Sequence, residues 1–228
     1  MIRSLSTIII TKNAGDVLED CLLSIKDLAS EVIMVDDGSV DQTIKIAEKY
    51  GASIFSHHER DLGKQKAWAL SKSTKPWVLS LDADERASET MAQEVKESLE
   101  EDNNKYSGYI IPFQNHFLGR SLLYGGENYK MMRLFRRDSV LIENALVHEG
   151  FRLRNGEVGS LKNPILHFSY RSLTQMYKKF TDYAIREAQQ KRKCGEKSSL
   201  KKIFLYPLHM IWARFIKDKG YKDGLFRL

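Results

Sequence analysis

The sequence predicts an α/β fold, a mostly parallel, doubly wound sheet followed by a C-terminal helical extension. Three observations point there. Short apolar runs alternate with amphipathic stretches at helical spacing through the first half of the chain, the pattern of strands joined by crossover helices. Two of those runs close on acid clusters, Val35-Asp36-Asp37-Gly38-Ser39 and Leu81-Asp82-Ala83-Asp84-Glu85. Carboxylates this close repel one another unless a cation or a donor waits for them, and the carboxyl ends of strands in an open α/β sheet form a ligand crevice. Finally, no apolar run reaches the roughly 18 residues of a membrane-spanning helix.

The elements follow in order. Leu5 to Thr11 is the first strand, and Asp16 to Leu28 a helix carrying Val17, Leu18, Cys21, Leu22 and Ile25 at helical spacing. Glu31 to Val35 is the second strand. Asp41 caps a helix bearing Ile44, Ile46 and Ala47, stopped by Gly51. Ala52 to Phe55 is a short third strand, Gly63 to Lys72 a helix, Pro76 to Leu81 a fourth strand entered through proline, and Ser88 to Glu101 a helix with Met91, Val95 and Leu99 on one face. After Asn103 the rhythm changes. Tyr109 to Phe113 and Met131 to Phe135 are strands without an intervening helix, joined by the Gly-rich Leu118 to Gly126. Gly150 to Gly159 is a turn-rich excursion, Ile165 to Phe168 a last strand, and Ser172 to Gln190 an amphipathic helix. The polar stretch Lys191 to Ser199 is a linker, which divides the chain into a body, 1–190, and a basic helical tail, 191–228.

A chain of 228 residues, 42% hydrophobic, can bury one sizeable core with a small appendage. The apolar stretch at the N-terminus is too short for a signal peptide and is followed by no small-residue cleavage site, so it is expected to be a strand. Cys21 and Cys194 match no metal-spacing pattern and suggest a reducing compartment. From Lys191 onward there are eleven Lys and Arg against three acids, which accounts for more than the chain's net +6 and leaves the body at −2. A body of that charge argues against nucleic-acid binding, whereas the tail suits an anionic surface. There Ile203, Phe204, Leu208, Ile211 and Trp212 lie among Lys201, Lys202, Arg214 and Lys217, the composition of a helix at a membrane interface or of one packed on the body.

Asp82 and Asp84, at i and i+2, share one face of an extended segment. Together they would make a hard-oxygen site for Mg²⁺ or Mn²⁺ that takes phosphate oxygens as its remaining ligands; the same spacing also fits a solvated turn. In Asp36-Asp37-Gly38-Ser39-Val40-Asp41, Gly38 permits a tight turn, and one upstream carboxylate is left to accept from an N–H such as the imide of uracil. Between the clusters, Gly63-Lys64-Gln65-Lys66 opens a helix whose bare N–H groups, with Lys64 and Lys66, could cradle a diphosphate. A solvated helix start would look the same. A metal-bound nucleotide suits both acid clusters at once.

Together these residues resemble glycosyltransferase family 2, whose members share the GT-A fold, a Rossmann-like sheet. Thr7-Ile8-Ile9-Ile10-Thr11-Lys12-Asn13 is similar to the family's opening strand, Val35 to Thr43 to its nucleotide-binding signature, and Leu81 to Glu85 falls where its DxD motif falls. The likeness runs from Leu5 to about Tyr183 and departs at Lys66-Ala67, where the family often has a basic residue followed by Asn. The resemblance implies that Thr11 and Asp36 or Asp37 hold uridine, Lys64 or Lys66 the diphosphate, and Asp82 and Asp84 the ribose and the metal-diphosphate. It implies Glu149 of Leu146-Val147-His148-Glu149-Gly150 as the base of an inverting transfer, with His148 and Glu127 as alternatives. It also implies His167 as a third metal ligand beside Asp82 and Asp84, although a lone His among apolar residues equally suits a core. Asn115 to Arg120, the Val147-His148-Glu149 stretch and His167 to Tyr170 resemble the lipopolysaccharide core β-1,4-glucosyltransferases.

The expected protein is therefore a cytoplasmic, metal-dependent, inverting transferase, peripheral on the inner membrane, that moves a hexose, glucose by that resemblance, from a UDP-sugar to a glycolipid or oligosaccharide acceptor. A nucleotidyltransferase would need a Gly-rich phosphate loop after the first strand, and Thr11 to Asp16 holds one Gly. An inactive sugar- or membrane-binding module is opposed by the intact Asp82, Asp84 and Glu149. A dehydrogenase would carry G-x-G-x-x-G there, and none follows.

Overall fold

A computed structural model describes residues 2–59, 61–100, 105–126, 129–143, 150–170 and 172–224. The chain divides into two compact units, Met1–Phe113 with Lys130–His167, and Gln114–Tyr129 with Phe168–Leu228. In chain order the elements are β1 (Ile2–Thr11), α1 (Leu18–Ile25), β2 (Ala29–Asp36), α2 (Thr43–Lys49), β3 (Ser53–Ser56), α3 (Leu62–Lys72), β4 (Trp77–Asp82), β5 (Glu85–Ala87) and α4 (Glu89–Glu100). They continue with β6 (Tyr106–Phe117), β7 (Arg120–Ser121), β8 (Lys130–Arg136), β9 (Val140–Glu143), β10 (Gly150–Leu153), β11 (Glu157–Ser160), β12 (Ile165–Tyr170), α5 (Leu173–Lys193) and α6 (Leu200–Ile211).

The main sheet has the order β3-β2-β1-β4-β8-β6-β12-β5. Strands β3, β2, β1 and β4 are parallel; β8 then joins β4 antiparallel, and β6 joins β8 antiparallel. The fold is thus α/β with a mixed, mostly parallel sheet and C-terminal helices, as the sequence predicts. Because both faces of the parallel strands are covered, they read as nearly continuous apolar runs: Leu5, Ile8, Ile9, Met34, Val35, Val78, Leu79 and Leu81 are all buried. One core cluster joins Ile8, Ile33, Val35 and Val78 to Ala69 of α3, Phe135 of β8 and Val140 of β9. The register sets the site. Thr11 pairs with Asp36 and Ile10 with Asp82, so β1, β2 and β4 end level with one another at their carboxyl ends.

Five short strands differ from the sequence expectation. The excursion Gly150 to Gly159 contains β10 and most of β11, β5 and β7 fall in stretches read as turn or loop, and β9 falls where no element is expected. Strands of two to four residues carry no periodicity; partner pairing creates them, as β9 with β10 and β11 with β6. The expected linker is shorter too, since α5 continues to Lys193 and spans residue 190.

Within the second unit, β6 and β7 form a hairpin whose loop residues Leu118 and Gly119 both have positive φ, 49° and 79°, the geometry of a type I′ turn. The following loop is stitched to the segment after α6: Asp223 accepts from the N–H groups of Leu123 and Tyr124 at 3.2 and 3.0 Å, and the Asp218 carbonyl from that of Gly125 at 2.8 Å. Gly126 has φ 74°, and a Cβ there would sit 1.9 Å from Arg214 Nη1. Ser199 caps α6 by accepting from Lys202 N–H. Pro207 interrupts the helix's bonding pattern, and a π-helical turn, Trp212–Lys217, follows. Among the described residues no helix is long and apolar enough to cross a membrane.

Candidate active site

The level ends of β1 and β2 are locked together by their own loops. The Asp37 N–H donates to the Thr11 carbonyl at 3.0 Å. Asn13 N–H donates to Ser39 Oγ, and Asn13 Oδ1 accepts from Val40 N–H, both at 2.8 Å. Ala14 and Gly15 donate to the side chains of Thr43 and Asp41. The two adjacent acids have different work. Asp36, 4% exposed, accepts from the N–H groups of Gly38 and Ser39 at 2.9 and 2.8 Å and from the Ser39 hydroxyl. It builds the turn. Asp37 keeps 20% of its side chain exposed, with Lys12 Nζ at 2.8 Å and His58 Nδ1 at 3.5 Å; the hydrogen bond from Lys12 holds its carboxyl below the usual range, against burial. Gly38, at φ 78°, leaves room for His58, because a Cβ would sit 2.6 Å from the imidazole Cε1. Thr11 Oγ1 is buried with no hydrogen-bond partner, an uncommon state for a polar atom and one a ligand would relieve.

At the end of β4 the carboxylates are bound to cations. Arg133 of β8, 4% exposed, donates from Nη2 to Asp82 Oδ2 at 3.0 Å and to Glu85 Oε1 at 2.7 Å. Glu85 Oε2 accepts from Asp82 N–H at 2.9 Å, and Lys66 Nζ of α3 lies 3.3 Å from Asp82 Oδ1. Burial opposes ionisation of Asp82, but Arg133 and Lys66 outweigh it and hold the carboxyl well below the usual carboxylate range. Burial pushes Glu85 up to about 7, against the pull of Arg133. Sequence reasoning missed Arg133, Glu85, Lys12 and His58 as site residues. For Arg133 a signal existed: a charge inside the apolar run Met131-Met132-Arg133-Leu134-Phe135 must find a buried partner.

The antiparallel pairing of β12 with β5 sets His167 opposite Glu85, and His167 Nε2 comes within 3.6 Å of Asp84 Oδ1. Burial alone would lower the imidazole pKa; the Asp84 carboxylate, backed by Glu85 and Asp82, raises it above its ordinary value. The Phe113 ring meets the His167 edge at 6.2 Å and underlies the Arg133 guanidinium at 5.3 Å. Asp84 and His167, 19% and 20% exposed, are a carboxylate and an imidazole side by side. This donor pair fits Mn²⁺ or Mg²⁺, which keep water and phosphate oxygens for the rest of the shell. Among the described residues no three His, Cys, Asp or Glu side chains are gathered to hold a metal, and Asp82 is engaged by two cations instead.

The structure brings together Thr11, Asp36 and Asp37 at one end and Lys66, Asp82, Asp84 and His167 at the other. Lys64 is not part of either group; its ammonium lies 3.5 Å from Glu59, while its N–H is capped by Asp61. Glu149, His148 and Glu127 lie outside the described residues. A groove of about 450 Å³ lined by Ala67, Leu70, Arg137, Val140 and Arg154 contains none of the candidate residues.

Residues 6–158 match the family described as Glycosyl transferase family 2. An uncharacterized glycosyltransferase of Rickettsia typhi is 28% identical over 221 residues, covering 92% of this chain and 74% of that one. The lipopolysaccharide core biosynthesis glycosyltransferase LpsC of Rhizobium meliloti is 28% identical, covering 98% of this chain and 83% of its own. Glucosyl-3-phosphoglycerate synthase of Mycobacterium tuberculosis, solved with Mn²⁺, UDP and glucosyl-3-phosphoglycerate, superposes with a TM-score of 0.51 at 16% identity over 86% of this chain and 82% of its own, a likeness of fold.

Proposed function

The chain belongs to glycosyltransferase family 2, and from that premise we propose that it moves a hexose, glucose by subgroup resemblance, from a UDP-sugar to a saccharide of the lipopolysaccharide core, with inversion and a divalent cation. The observation that carries this reading is the division of labour in the two acid clusters. Asp36 closes the turn, which leaves Asp37 to accept the imide N–H of uracil beside the buried, unpartnered Thr11 Oγ1. Asp82 is balanced by Arg133 and Lys66, which leaves Asp84 with His167 as the donor pair for a cation. Both ends open at the carboxyl edge of the parallel strands, where α/β sheets take nucleotides. The LpsC likeness supports the acceptor class, and the Mn²⁺ and UDP held by a protein of the same fold support donor and metal.

When bound, the cation supplies Lewis-acid stabilisation of the diphosphate as the glycosidic bond breaks. The protein's own groups position the donor. Asp37 and Thr11 fix the base, and the exposed edge of Asp82 accepts from a ribose hydroxyl while Arg133 holds that carboxylate ionised. Glu149 is the base that takes the acceptor's hydroxyl proton as the oxygen attacks the anomeric carbon. UDP with Mn²⁺ is expected to raise the melting temperature, and Asp84→Asn to remove that rise while leaving the unliganded melting temperature within a degree or two. No rise in the parent protein sinks the nucleotide site. Glu149→Gln should keep the rise and lose transfer to acceptor; a variant that still turns over removes Glu149 as base.

A further inference from the structure

In the second unit α6 is exposed along its whole length. No residue of α6 is buried, and Leu200, Ile203, Phe204, Tyr206, Leu208 and Ile211 are between 54% and 74% exposed. At helical spacing they form one broad apolar arc; Lys202 and His209 lie on the remaining side together with Leu205, and Lys201 stands at the edge of the arc beside Leu208. A 12-residue helix with its apolar face in water is marginal by itself, and a contiguous exposed patch of this kind marks an interaction surface. The next turn adds Trp212 and Ile216, both 53% exposed.

We infer that α6 and the π-helical turn after it lie in the plane of an anionic lipid surface, with the apolar arc inserted among the acyl chains and the lysines at the headgroups. Charge selects this occupant. From Lys191 onward eleven Lys and Arg face three acids, so a second copy of the same surface would bring like charges together. A phosphate-bearing bilayer accepts both the positive charge and the apolar arc. Tyr206 and Trp212, each with an apolar ring and one polar atom, are suited to the headgroup level. The helix lies on the surface and does not span it, being too short and too interrupted by Pro207 to cross. Docking of this kind involves no donor or acceptor, so it stands or falls apart from the transfer reaction.

Sedimentation of the full chain with vesicles tests it. Binding is expected to vesicles of equal parts phosphatidylglycerol and phosphatidylcholine, to weaken with salt, and to be absent with phosphatidylcholine alone. Lys201→Gln with Lys202→Gln should weaken it by roughly fivefold per lysine, and Ile203→Ser with Phe204→Ser should abolish it. The emission of Trp212 should shift to the blue with the anionic vesicles, a shift that Trp212→Phe removes while Trp68 and Trp77 remain. Equal binding to neutral vesicles, undiminished binding of the serine variant, or no binding at all overturns the inference. So does a dimer that light scattering detects in the parent and not in the serine variant when vesicles bind neither.

Discussion

The first unit buries Arg133, Lys66 and Glu85 beside its apolar core, whereas α6 in the second leaves Leu200, Phe204 and Leu208 in water. Each arrangement is costly in isolation. A buried charge without a partner costs several kcal/mol, and exposed leucines forgo the roughly 1.5–3 kcal/mol that burying each would contribute. The first unit offsets its cost internally, since Arg133 touches two carboxylates and Lys66 one of them. Among the described residues of the second unit none buries these side chains. The contrast separates a region built to hold its own geometry from one built to meet something else.

The largest test of that contrast is Arg133→Leu. It strands Glu85 and weakens the hold on Asp82, and should cost about 3–5 kcal/mol in urea unfolding. Adding Glu85→Leu should recover part of the loss, because the uncompensated buried acid goes with it. A single variant as stable as the parent would show that the cluster is not a self-contained lock. A smaller effect is expected at the opposite end of the sheet. There Glu31 accepts from the Ser6 hydroxyl and from the N–H and hydroxyl of Thr74 at 2.8 and 2.7 Å. Burial opposes ionisation, but these donors outweigh it and hold the carboxyl below its ordinary value of 4.5. A group whose pKa is lowered by folding stabilises fully above its unfolded value, and the contribution is lost as pH falls through the folded one. Glu31→Gln should therefore cost about 1–2 kcal/mol at pH 7 and show a shallower loss of stability below pH 4.5 than the parent in thermal melts. An identical acid limb would remove Glu31 from the account. The smallest effect belongs to α6: Phe204→Ser should change unfolding free energy by less than about 0.5 kcal/mol. A substantially larger loss would mean the ring packs within the protein, which would erase the contrast.

How much of this could be read in advance depended on whether the residues themselves or their neighbours decide the structure. Strands β1, β2 and β4 were legible because burial on both faces writes a continuous apolar run into the sequence. Strands β5, β7, β9, β10 and β11 were not, since pairing with a partner strand makes them. The same holds within the site. Asp36, Asp37, Asp82 and Asp84 are conspicuous as acids at strand ends, but which member of each pair builds structure depends on what surrounds it. Asp36 is fixed by its own turn. Asp82 is fixed by an arginine 51 positions away, brought across by the antiparallel entry of β8 next to β4, where Leu79 pairs with Leu134. Strand order of that kind has no local signature.

The stitches from Leu123, Tyr124 and Gly125 to Arg214, Asp218 and Asp223 join positions 89 to 100 residues apart. During synthesis the loop emerges roughly 5–20 s before its partners at about 5–20 residues per second. By then every described strand of the sheet has been made, so the loop closes only after those strands and α6 have left the ribosome. A chain stalled before Arg214 would carry every described strand and all of α6, with no stitches to hold the loop. Closure of this loop thus waits on residues made after the described sheet.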